Sequence, residues 1–252
     1  QEVLGYLKQR FKKEKLKAVL KPLASNIKLQ DGTDVQNLRS GRKVDEEFFI
    51  FQSENSGNLF FGKIEQKFNS EEIERRDMKK PVRREELAIS PRLAKIMINL
   101  SGVKKNEKLL DAFCGIGVIL QEALLQGINS IGIDVDMDAI EGAKQNFEWA
   151  GFKREDFRLI NGDSRKERVG KVSVMVSEPD LGEKLRKIPS NQKIEEILTD
   201  FENLIIDVIN NQKENVFGKI VFTTPYIKLF NKNRIGCDAE KITQETGMSL
   251  SE

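Results

Sequence analysis

From residue 88 onward, short apolar runs alternate with longer stretches in which apolar side chains recur every three or four positions. The apolar runs predict buried strands, and they lie near 108–113, 129–134, 156–161, 172–178 and 218–224. The longer stretches predict helices near 117–126, 137–150 and 191–213. Regular alternation of strands and helices predicts a parallel sheet that is covered by helices on both faces.

One further helix is predicted on each side of this alternation. On the amino-terminal side, Ser90 suits the N-cap and Pro91 the first helical position, where a missing N–H loses no partner. On the carboxyl-terminal side, residues 237–250 have the pattern of one more helix. The apolar side chains of the first of these helices are expected on one face, and they are Leu93, Ile96, Met97 and Leu100.

The region before residue 69 predicts a separate, small α+β module. Residues 2–20 have near-helical apolar spacing with lysines on the other face, and residues 34–40 are compatible with a short helix. Two aromatic-rich segments, 46–52 and 58–66, flank an Asn-Ser-Gly turn and therefore predict a β-hairpin. The following residues, 69–88, are highly charged and contain a proline, so we interpret them as a basic linker.

The most informative segment is the glycine-rich loop after the first predicted core strand, within the sequence LLDAFCGIGV. The strand ends at Asp111, the turn contains Gly115 and Gly117, and a helix begins near Val118. The next strand ends at Asp134, about 20 residues past the loop. Strand, glycine loop, helix, strand and acid in this order favour a nucleotide-like ligand whose ribose hydroxyls donate to the second acid.

Two residues indicate which ligand this loop would take. A dinucleotide-binding loop would have a third glycine or an alanine where this chain has Leu120. Asp111 would repel a pyrophosphate but attract a cation, and S-adenosylmethionine carries both a sulfonium and an ammonium group. We therefore predict an S-adenosylmethionine-dependent methyltransferase. For the loop taken alone, a glycine turn that merely joins a strand to a helix is the alternative.

Two further strand ends carry candidate chemistry. Asp163 follows the third predicted strand, where its carboxylate would accept a hydrogen bond from the adenine amine; an N-cap or turn role is the alternative. The fourth strand ends in Ser-Glu-Pro-Asp, residues 177–180. Glu178 or Asp180 would accept hydrogen bonds from a target amine and Pro179 would shape the turn. Catalysis would then rest on positioning and desolvation, and the alternative is an ordinary strand-to-loop turn.

Composition narrows the class of site and of partner. The chain has no histidine and two cysteines, Cys114 and Cys237, which excludes histidine acid–base catalysis and most zinc sites and predicts no disulfide framework. Without a membrane-length apolar run or a recognisable secretory signal, we expect a cytoplasmic protein that binds neither a membrane nor a metal. The formal net charge is +2, but basic side chains cluster in residues 1–28 and 75–84, as expected for nucleic-acid contacts or for solvated faces.

Three segments resemble a known family. They are RRDMKKPVRREELAISPRLAKIMINLSGV (75–103), DAFCGIGVILQEAL (111–124) and IGIDVDMDAIEGAKQNFEWAG (131–151). Together they are similar to the THUMP-associated tRNA guanosine N2-methyltransferases, the archaeal-type enzymes that act on position ten of tRNA and their bacterial relatives. The resemblance implies a Rossmann-like methyltransferase domain preceded by a ferredoxin-like and THUMP region, with S-adenosylmethionine as cofactor and tRNA as substrate.

Transferred residue by residue, the resemblance implies two sets of site residues. The cofactor-binding set is Pro91, Asp111, Phe113, Cys114, Gly115, Gly117, Asp134 and Asp163. The catalytic set is Glu178, Pro179 and Asp180. The family usually has Asp/Asn-Pro-Pro-Tyr at this strand end, so the aromatic residue that would stack on a base is absent here.

The sequence thus predicts a partial RNA-binding module at 1–68, a basic linker at 69–88 and a Rossmann-like α/β methyltransferase domain at 89–252. The sheet of such a domain usually closes with an antiparallel hairpin after the helix predicted at 237–250. The sequence ends before such a hairpin, so we expect either a cut chain or a sheet with fewer strands. The preferred function is N2-methylation of a guanosine in tRNA. The alternatives are a catalytically impaired RNA-binding protein with the same fold, and a methyltransferase that acts on amines of DNA or protein.

Overall fold

The structure is a computed structural model, and it describes residues 2–17, 24–28, 34–38, 46–53, 56–65, 70–84, 89–181, 188–229 and 233–251. The chain divides into two compact units, one over residues 1–68 and the other over residues 69–252. None of the helices in the described parts of the chain combines the length and the apolar character of a membrane span.

The described residues of the first unit form a helix and two antiparallel strand pairs. Its elements are α1 (Glu2–Lys13), β1 (Ala24–Lys28), β2 (Asp34–Leu38), β3 (Phe48–Gln52) and β4 (Leu59–Lys63). Pairing of β3 with β4 confirms the hairpin predicted from the aromatic segments. The short helix expected over 34–40 is wrong, because residues 34–38 pair with β1 and so short a helix has too few hydrogen bonds to offset its nucleation.

A five-stranded parallel sheet forms the centre of the second unit. Its strands are β5 (Lys108–Asp111), β6 (Asn129–Asp134), β7 (Phe157–Asn161), β8 (Val174–Ser177) and β9 (Ile220–Phe222). Their order across the sheet is β7-β6-β5-β8-β9, which confirms the five predicted strands and the Rossmann-like α/β class. The chain runs outward from β5 first to one side and then to the other, so ligands are expected between the loops that follow β5 and β8.

Helices and one short hairpin surround this sheet. They are α2 (Ser70–Met78), α3 (Pro91–Ser101), α4 (Val118–Leu124), α5 (Met137–Ala150), α6 (Asn191–Gln212), β10 (Tyr226–Lys228), β11 (Arg234–Gly236) and α7 (Ala239–Thr246). Leu109 belongs to an apolar core with α3, α4 and α5, whereas the next residue, Leu110, belongs to a second core with α6 and α7. Since successive strand residues face opposite sides, the sheet is covered on both faces, as predicted.

The hairpin of β10 and β11 was not predicted. Its two strands pair with each other, Ile227 opposite Ile235, and form a sheet separate from the large one. Strands of three residues are too short for alternation to be recognised in a sequence. The helix predicted over 237–250 is confirmed in its central part, as α7.

Helix α3 has the predicted ends but not the predicted buried face. The Ser90 hydroxyl accepts a hydrogen bond from the Leu93 N–H at 3.3 Å, as expected of an N-cap. Leu93, Ile96 and Leu100 are nevertheless 40%, 54% and 60% exposed. The buried side chains are Pro91, Ala94, Met97, Ile98 and Ser101. Small side chains at positions 94 and 101 let the helix lie close to the sheet, which apolar spacing alone does not reveal.

The predicted linker is wrong where the structure describes it, at residues 70–84. The Arg76 guanidinium in α2 donates to both carboxylate oxygens of Glu122 in α4, at 2.7 and 3.1 Å, and Glu122 is buried. The buried Asn146 amide in α5 donates to the Val82 carbonyl and accepts from the Val82 N–H. A high charge density suggested a solvated segment, but buried partners hold this one against the domain.

We expect Arg76→Leu to lower the free energy of unfolding by about 3 kcal/mol, because Glu122 would keep a buried charge without its partner. Equilibrium denaturation in urea measures the effect. The double substitution Arg76→Leu with Glu122→Leu should recover most of the loss, since apolar side chains replace a buried pair at little cost. Equal losses in the single and double variants would contradict this role of the pair.

Candidate active site

A cavity of about 450 Å³ lies at the carboxyl edge of the parallel sheet. It is lined mainly by the loops after β5, β6 and β8, which are neighbouring strands and therefore end side by side. The predicted site residues that line it are Asp111, Phe113, Cys114, Gly115, Asp134, Glu178, Pro179 and Asp180. Side chains from three separate parts of the sequence thus meet around one space of ligand size.

Asp134 ends β6 and holds the glycine loop in place. One carboxylate oxygen accepts a hydrogen bond from the Gly115 N–H at 2.7 Å, and the other accepts from the Asp136 N–H at 2.9 Å. The side chain is partly buried and lines the cavity. Each carboxylate oxygen has a further lone pair, so Asp134 fixes the loop and keeps acceptor capacity for a ligand.

The two glycines of the loop have different roles. Gly115 lines the cavity, and a Cβ on it would meet no atom within 4 Å. Gly117 has a φ of +84° and precedes α4, and a Cβ there would lie 2.6 Å from the ring of buried Phe147. Gly117 is not among the described residues that line the cavity. Its lack of a side chain instead lets the loop pack closely on α5.

Asp111 is buried at the end of β5 and is linked to the end of β8. The Ser177 hydroxyl is hydrogen-bonded to the Asp111 carboxylate, and its oxygen accepts from the Ala112 N–H at 2.8 Å. Burial, with a smaller contribution from the nearby carboxylates of Asp134 and Glu178, raises the pKa of Asp111 to about 7. One hydroxyl group therefore joins the two strand ends beside a carboxyl group that titrates near neutral pH.

We expect the affinity of this cavity for a sulfonium ligand to rise with pH and to level off above the pKa of Asp111, about 7. Ionised Asp111 attracts the cation and the protonated group does not, so affinity should fall about tenfold for each pH unit below that pKa. Calorimetric titration with S-adenosylmethionine between pH 5 and 7.5 measures this. Asp111→Asn should bind weakly at every pH, and a pH-independent wild-type affinity would contradict the expectation.

The segment after β8 brings two carboxylates and a proline to the cavity. The Glu178 carboxylate accepts a hydrogen bond from the Ile89 N–H and is half-buried, and this burial raises its pKa. Pro179 is buried and Asp180 is exposed, and both line the cavity. The Ser177 hydroxyl is directed to the end of β5, so Glu178 is the first residue after β8 that lines the cavity.

Besides Gly117, two predicted residues, Pro91 and Asp163, are not among the described residues that line the cavity. Pro91 is buried at the first position of α3. The Arg165 guanidinium donates to both Asp163 oxygens, at 2.9 and 2.8 Å, and this contact lowers the pKa of Asp163. In this arrangement, the carboxylate predicted to contact adenine is paired with an arginine two residues away. Cys114 is buried, and burial raises the pKa of its thiol, which stays protonated.

Two contacts at the site were not visible in the sequence. The Asn146 amide donates to the Ile116 carbonyl at 3.1 Å as well as to Val82, so one side chain ties the glycine loop to the segment after α2. Arg84 of that segment lines the cavity and lies 2.7 Å from the Asp136 carboxylate, whose pKa it lowers. A lone asparagine on an apolar helix face was the available signal for the first contact.

The lining of the cavity is strongly acidic. Five carboxylates and one guanidinium, that of Arg84, are among its described residues. At close range in a partly buried space, such a lining favours a cation over a phosphate. The residues present therefore fit a ligand with sulfonium and ammonium groups, and the acceptor atoms of Asp134 fit ribose hydroxyls.

Family comparisons identify a methyltransferase domain. A family model described as an RMKL-like methyltransferase domain matches residues 80–217, and a model described as a DNA methylase matches residues 11–145. Both matches include the glycine loop and the two acids Asp111 and Asp134.

Curated relatives named tRNA (guanine(10)-N2)-dimethyltransferase are also similar to this chain. The protein of Methanothermobacter thermautotrophicus is 38% identical over 115 residues, 45% of this chain and 33% of that protein. The protein of Methanocaldococcus jannaschii is 33% identical over 117 residues, 44% of this chain and 33% of that protein. These matches confirm the resemblance found in the sequence, and the chain spans about a third of the length of these relatives.

Among solved structures, TrmN from Thermus thermophilus aligns with a TM-score of 0.43 and 18% identity over 62% of this chain and 43% of that one. An RNA methyltransferase from Salinibacter ruber in complex with S-adenosyl-L-homocysteine aligns with a TM-score of 0.35 and 23% identity over 45% of this chain and 70% of that one.

The match to the first family model covers more than half of the 252 residues. The chain therefore belongs to the family of RMKL-like methyltransferase domains.

Proposed function

We propose that this protein transfers a methyl group from S-adenosylmethionine to N2 of a guanosine in tRNA. The observation that carries the proposal is the acidic cavity at the carboxyl edge, where β5 and β6 end in carboxylates and Glu178 follows the neighbouring strand β8. That lining favours a cationic methyl donor over a phosphate-bearing cofactor. The acceptor is proposed from the relatives, which are named tRNA (guanine(10)-N2)-dimethyltransferases.

We assign the cofactor to the loop after β5 and to the two acids beside it. Asp134 would accept hydrogen bonds from the ribose hydroxyls, and Asp111 would lie against the cationic end. When bound, S-adenosylmethionine supplies an electrophilic methyl group. Gly117 would act indirectly, through the packing of the loop, and Asp163 would be available to adenine after Arg165 releases it.

The target amine would be held by the segment after β8. The carboxylates of Glu178 and Asp180 would accept hydrogen bonds from the amine, and Pro179 would keep the segment in its turn. Held in this way, the nitrogen is oriented for in-line attack and can lose its proton to a carboxylate. The raised pKa of Glu178 supports this residue as the proton acceptor, because burial favours its protonated form.

We propose that basic side chains of residues 1–28 and 75–84 contact the tRNA backbone. Residues 2–17 support this with six Lys/Arg against two Glu. The second cluster offers fewer charges than its sequence suggests, because Arg76 is paired with Glu122 and Lys80 is 5% exposed. A cytoplasmic site of action is consistent with the two free cysteines.

The proposed reaction is tested by methyl transfer from isotopically labelled S-adenosylmethionine into an unmodified tRNA transcript. We expect the label in N2-methylguanosine when the nucleosides are separated by mass spectrometry. The Asp180→Tyr variant, which restores the aromatic residue usual in the family, is measured beside the wild type. Label in a different nucleoside would contradict guanosine as the target, and unlabelled tRNA with both proteins would contradict the activity.

Two other functions have specific support. Asp180 in place of an aromatic residue favours a catalytically impaired RNA-binding protein, which would bind the transcript but leave it unlabelled. The match of residues 11–145 to a DNA methylase model favours an amine of DNA as acceptor. Label in double-stranded DNA and none in tRNA would support that second function.

A further inference from the structure

The hairpin of β10 and β11 follows the strand next to the catalytic segment. Strand β9 pairs in parallel with β8, and Phe222 lies opposite Ser177. Residues that follow β9 therefore emerge at the carboxyl edge, on the same side as Glu178. Tyr226, the first residue of β10, comes four positions after the end of β9.

Packing against α6 keeps the hairpin at this edge. Helix α6 connects β8 to the parallel strand β9, so its first turns lie near the end of β8 and its last turns near the start of β9. Ile227 of the hairpin is buried with Ile194 and Leu198, which belong to the first turns of α6. The hairpin is therefore anchored beside the carboxyl ends of the strands.

The two faces of the hairpin differ in character. Tyr226 pairs with Gly236, and Lys228 pairs with Arg234. Because directly paired and alternate residues share a face, Tyr226, Lys228 and Arg234 lie on the face opposite to the buried Ile227. Tyr226 is 64% exposed, and Lys228 and Arg234 are exposed as well. This face carries a ring and two cations, and no acid is among its described residues.

The ring of Tyr226 is placed for stacking. The Arg234 guanidinium lies 5.5 Å from the ring centroid, and a cation of this kind occupies one side of a ring. Gly236, on the paired strand, has no side chain, and a Cβ there would lie 3.1 Å from the ring. An accessible ring with cations beside it is the combination that binds single-stranded nucleic acids, because bases stack on the ring and phosphates meet the cations.

We propose that Tyr226 and Arg234 form a platform that binds an unpaired nucleotide of the RNA acceptor beside the cavity. Tyr226 is a positioning residue here, and from the hairpin that follows β9 it supplies an aromatic ring that the segment ending at Asp180 lacks. The inference deepens the proposed function and rests on it for the reaction, but RNA binding by the platform can be measured without methyl transfer.

The test is the affinity for an unmodified tRNA transcript, measured by fluorescence anisotropy on the full chain. Tyr226→Ala should raise the Kd about tenfold or more, whereas Tyr226→Phe, which keeps the ring, should stay within about twofold of the wild type. Phe217→Ala is the matched control: Phe217 is 66% exposed with Lys171 5.3 Å from its ring, but it precedes β9 and so lies toward the opposite edge. Its Kd should equal that of the wild type.

A second pair of measurements separates the platform from a general loss of structure. Arg234→Gln should reduce the slope of log affinity against log salt concentration by about one, as expected for one lost phosphate contact. Calorimetric binding of S-adenosylmethionine should be unchanged in Tyr226→Ala, since the tyrosine is outside the cofactor cavity.

The outcomes distinguish this inference from the proposed reaction. Unchanged tRNA affinity in Tyr226→Ala, an equal loss in Phe217→Ala, or no tRNA binding by the wild type would overturn the platform. If Tyr226→Ala weakens binding of the transcript but the wild type leaves the transcript unlabelled, the proposed reaction is overturned and the platform is supported. Efficient labelling by a Tyr226→Ala protein with wild-type KM for tRNA would overturn the platform alone.

Discussion

Asp134→Ala is expected to weaken binding of S-adenosylmethionine by about a hundred- to a thousandfold. The carboxylate accepts from the N–H groups of Gly115 and Asp136, so its removal frees the loop as well as the proposed acceptor of the ribose hydroxyls. Hydrogen bonds to a charged group contribute about 1.5–3 kcal/mol each. Loss of the two bonds from the ribose hydroxyls therefore accounts for a decrease in affinity of this size. Isothermal titration calorimetry on both proteins measures it.

Asp138→Ala provides the control for this loss. Asp138 is exposed in the first turn of α5, four residues from Asp134, and it does not line the cavity. Its substitution should leave the Kd within about twofold of the wild type. If Asp134→Ala bound the cofactor as tightly as the wild type, or if it lost thermal stability alone, Asp134 would be a folding residue and not a cofactor ligand.

Gly117→Ala is expected to lower the free energy of unfolding by about 2–5 kcal/mol. The φ of +84° is unfavourable for alanine by about 1–2 kcal/mol. The added Cβ would also lie 2.6 Å from the buried ring of Phe147, and overpacking of this kind costs about 1–3 kcal/mol. Urea denaturation followed by circular dichroism measures the sum.

Gly151→Ala separates the two causes. Gly151 ends α5 with a φ of +78°, and a Cβ there would meet no atom within 4 Å. Only the backbone term applies, so the loss should be about 1–2 kcal/mol. Equal losses in Gly117→Ala and Gly151→Ala would show that packing against Phe147 does not matter at the loop.

The central sheet could be predicted because its strands carry their signal locally. Residues of β5 and β8 are buried on both faces, so each reads as a short continuous apolar run, and glycine turns or helical spacing separate the runs. The position of the cavity could be predicted as well, because the ends of parallel strands meet at one edge of the sheet. For that reason, eight of the eleven predicted site residues line it.

The predictions of the linker and of the buried face of α3 were wrong because both depend on contacts that a local sequence pattern does not encode. The pair of Arg76 and Glu122 joins residues 46 positions apart, and the contact of Asn146 with Val82 joins residues 64 positions apart. Neither partner could be recognised from charge density, so residues 70–84 resembled a linker. The buried face of α3 depended on small side chains that fit close to the sheet, which the spacing of its large apolar residues did not show.

Three predicted site residues are placed differently because each serves a nearby contact. Gly117 leaves space for the ring of Phe147, which a Cβ at this position would contact too closely. Pro91 occupies the first turn of a capped helix. Asp163 is paired with Arg165, a partner two residues along the chain. Sequence position placed each of them near a strand end or loop, but the direction in which a group points is set by its packing partners.

The claim on which the rest depends is that the acidic cavity binds a sulfonium cofactor, and a crystal structure of the chain grown with S-adenosylmethionine tests it most directly. We predict one ligand in the cavity, with its ribose hydroxyls within about 3 Å of the Asp134 carboxylate and its cationic end toward Asp111. A ligand bound elsewhere, or a cavity in which neighbouring side chains replace it while both carboxylates face away, would contradict the claim.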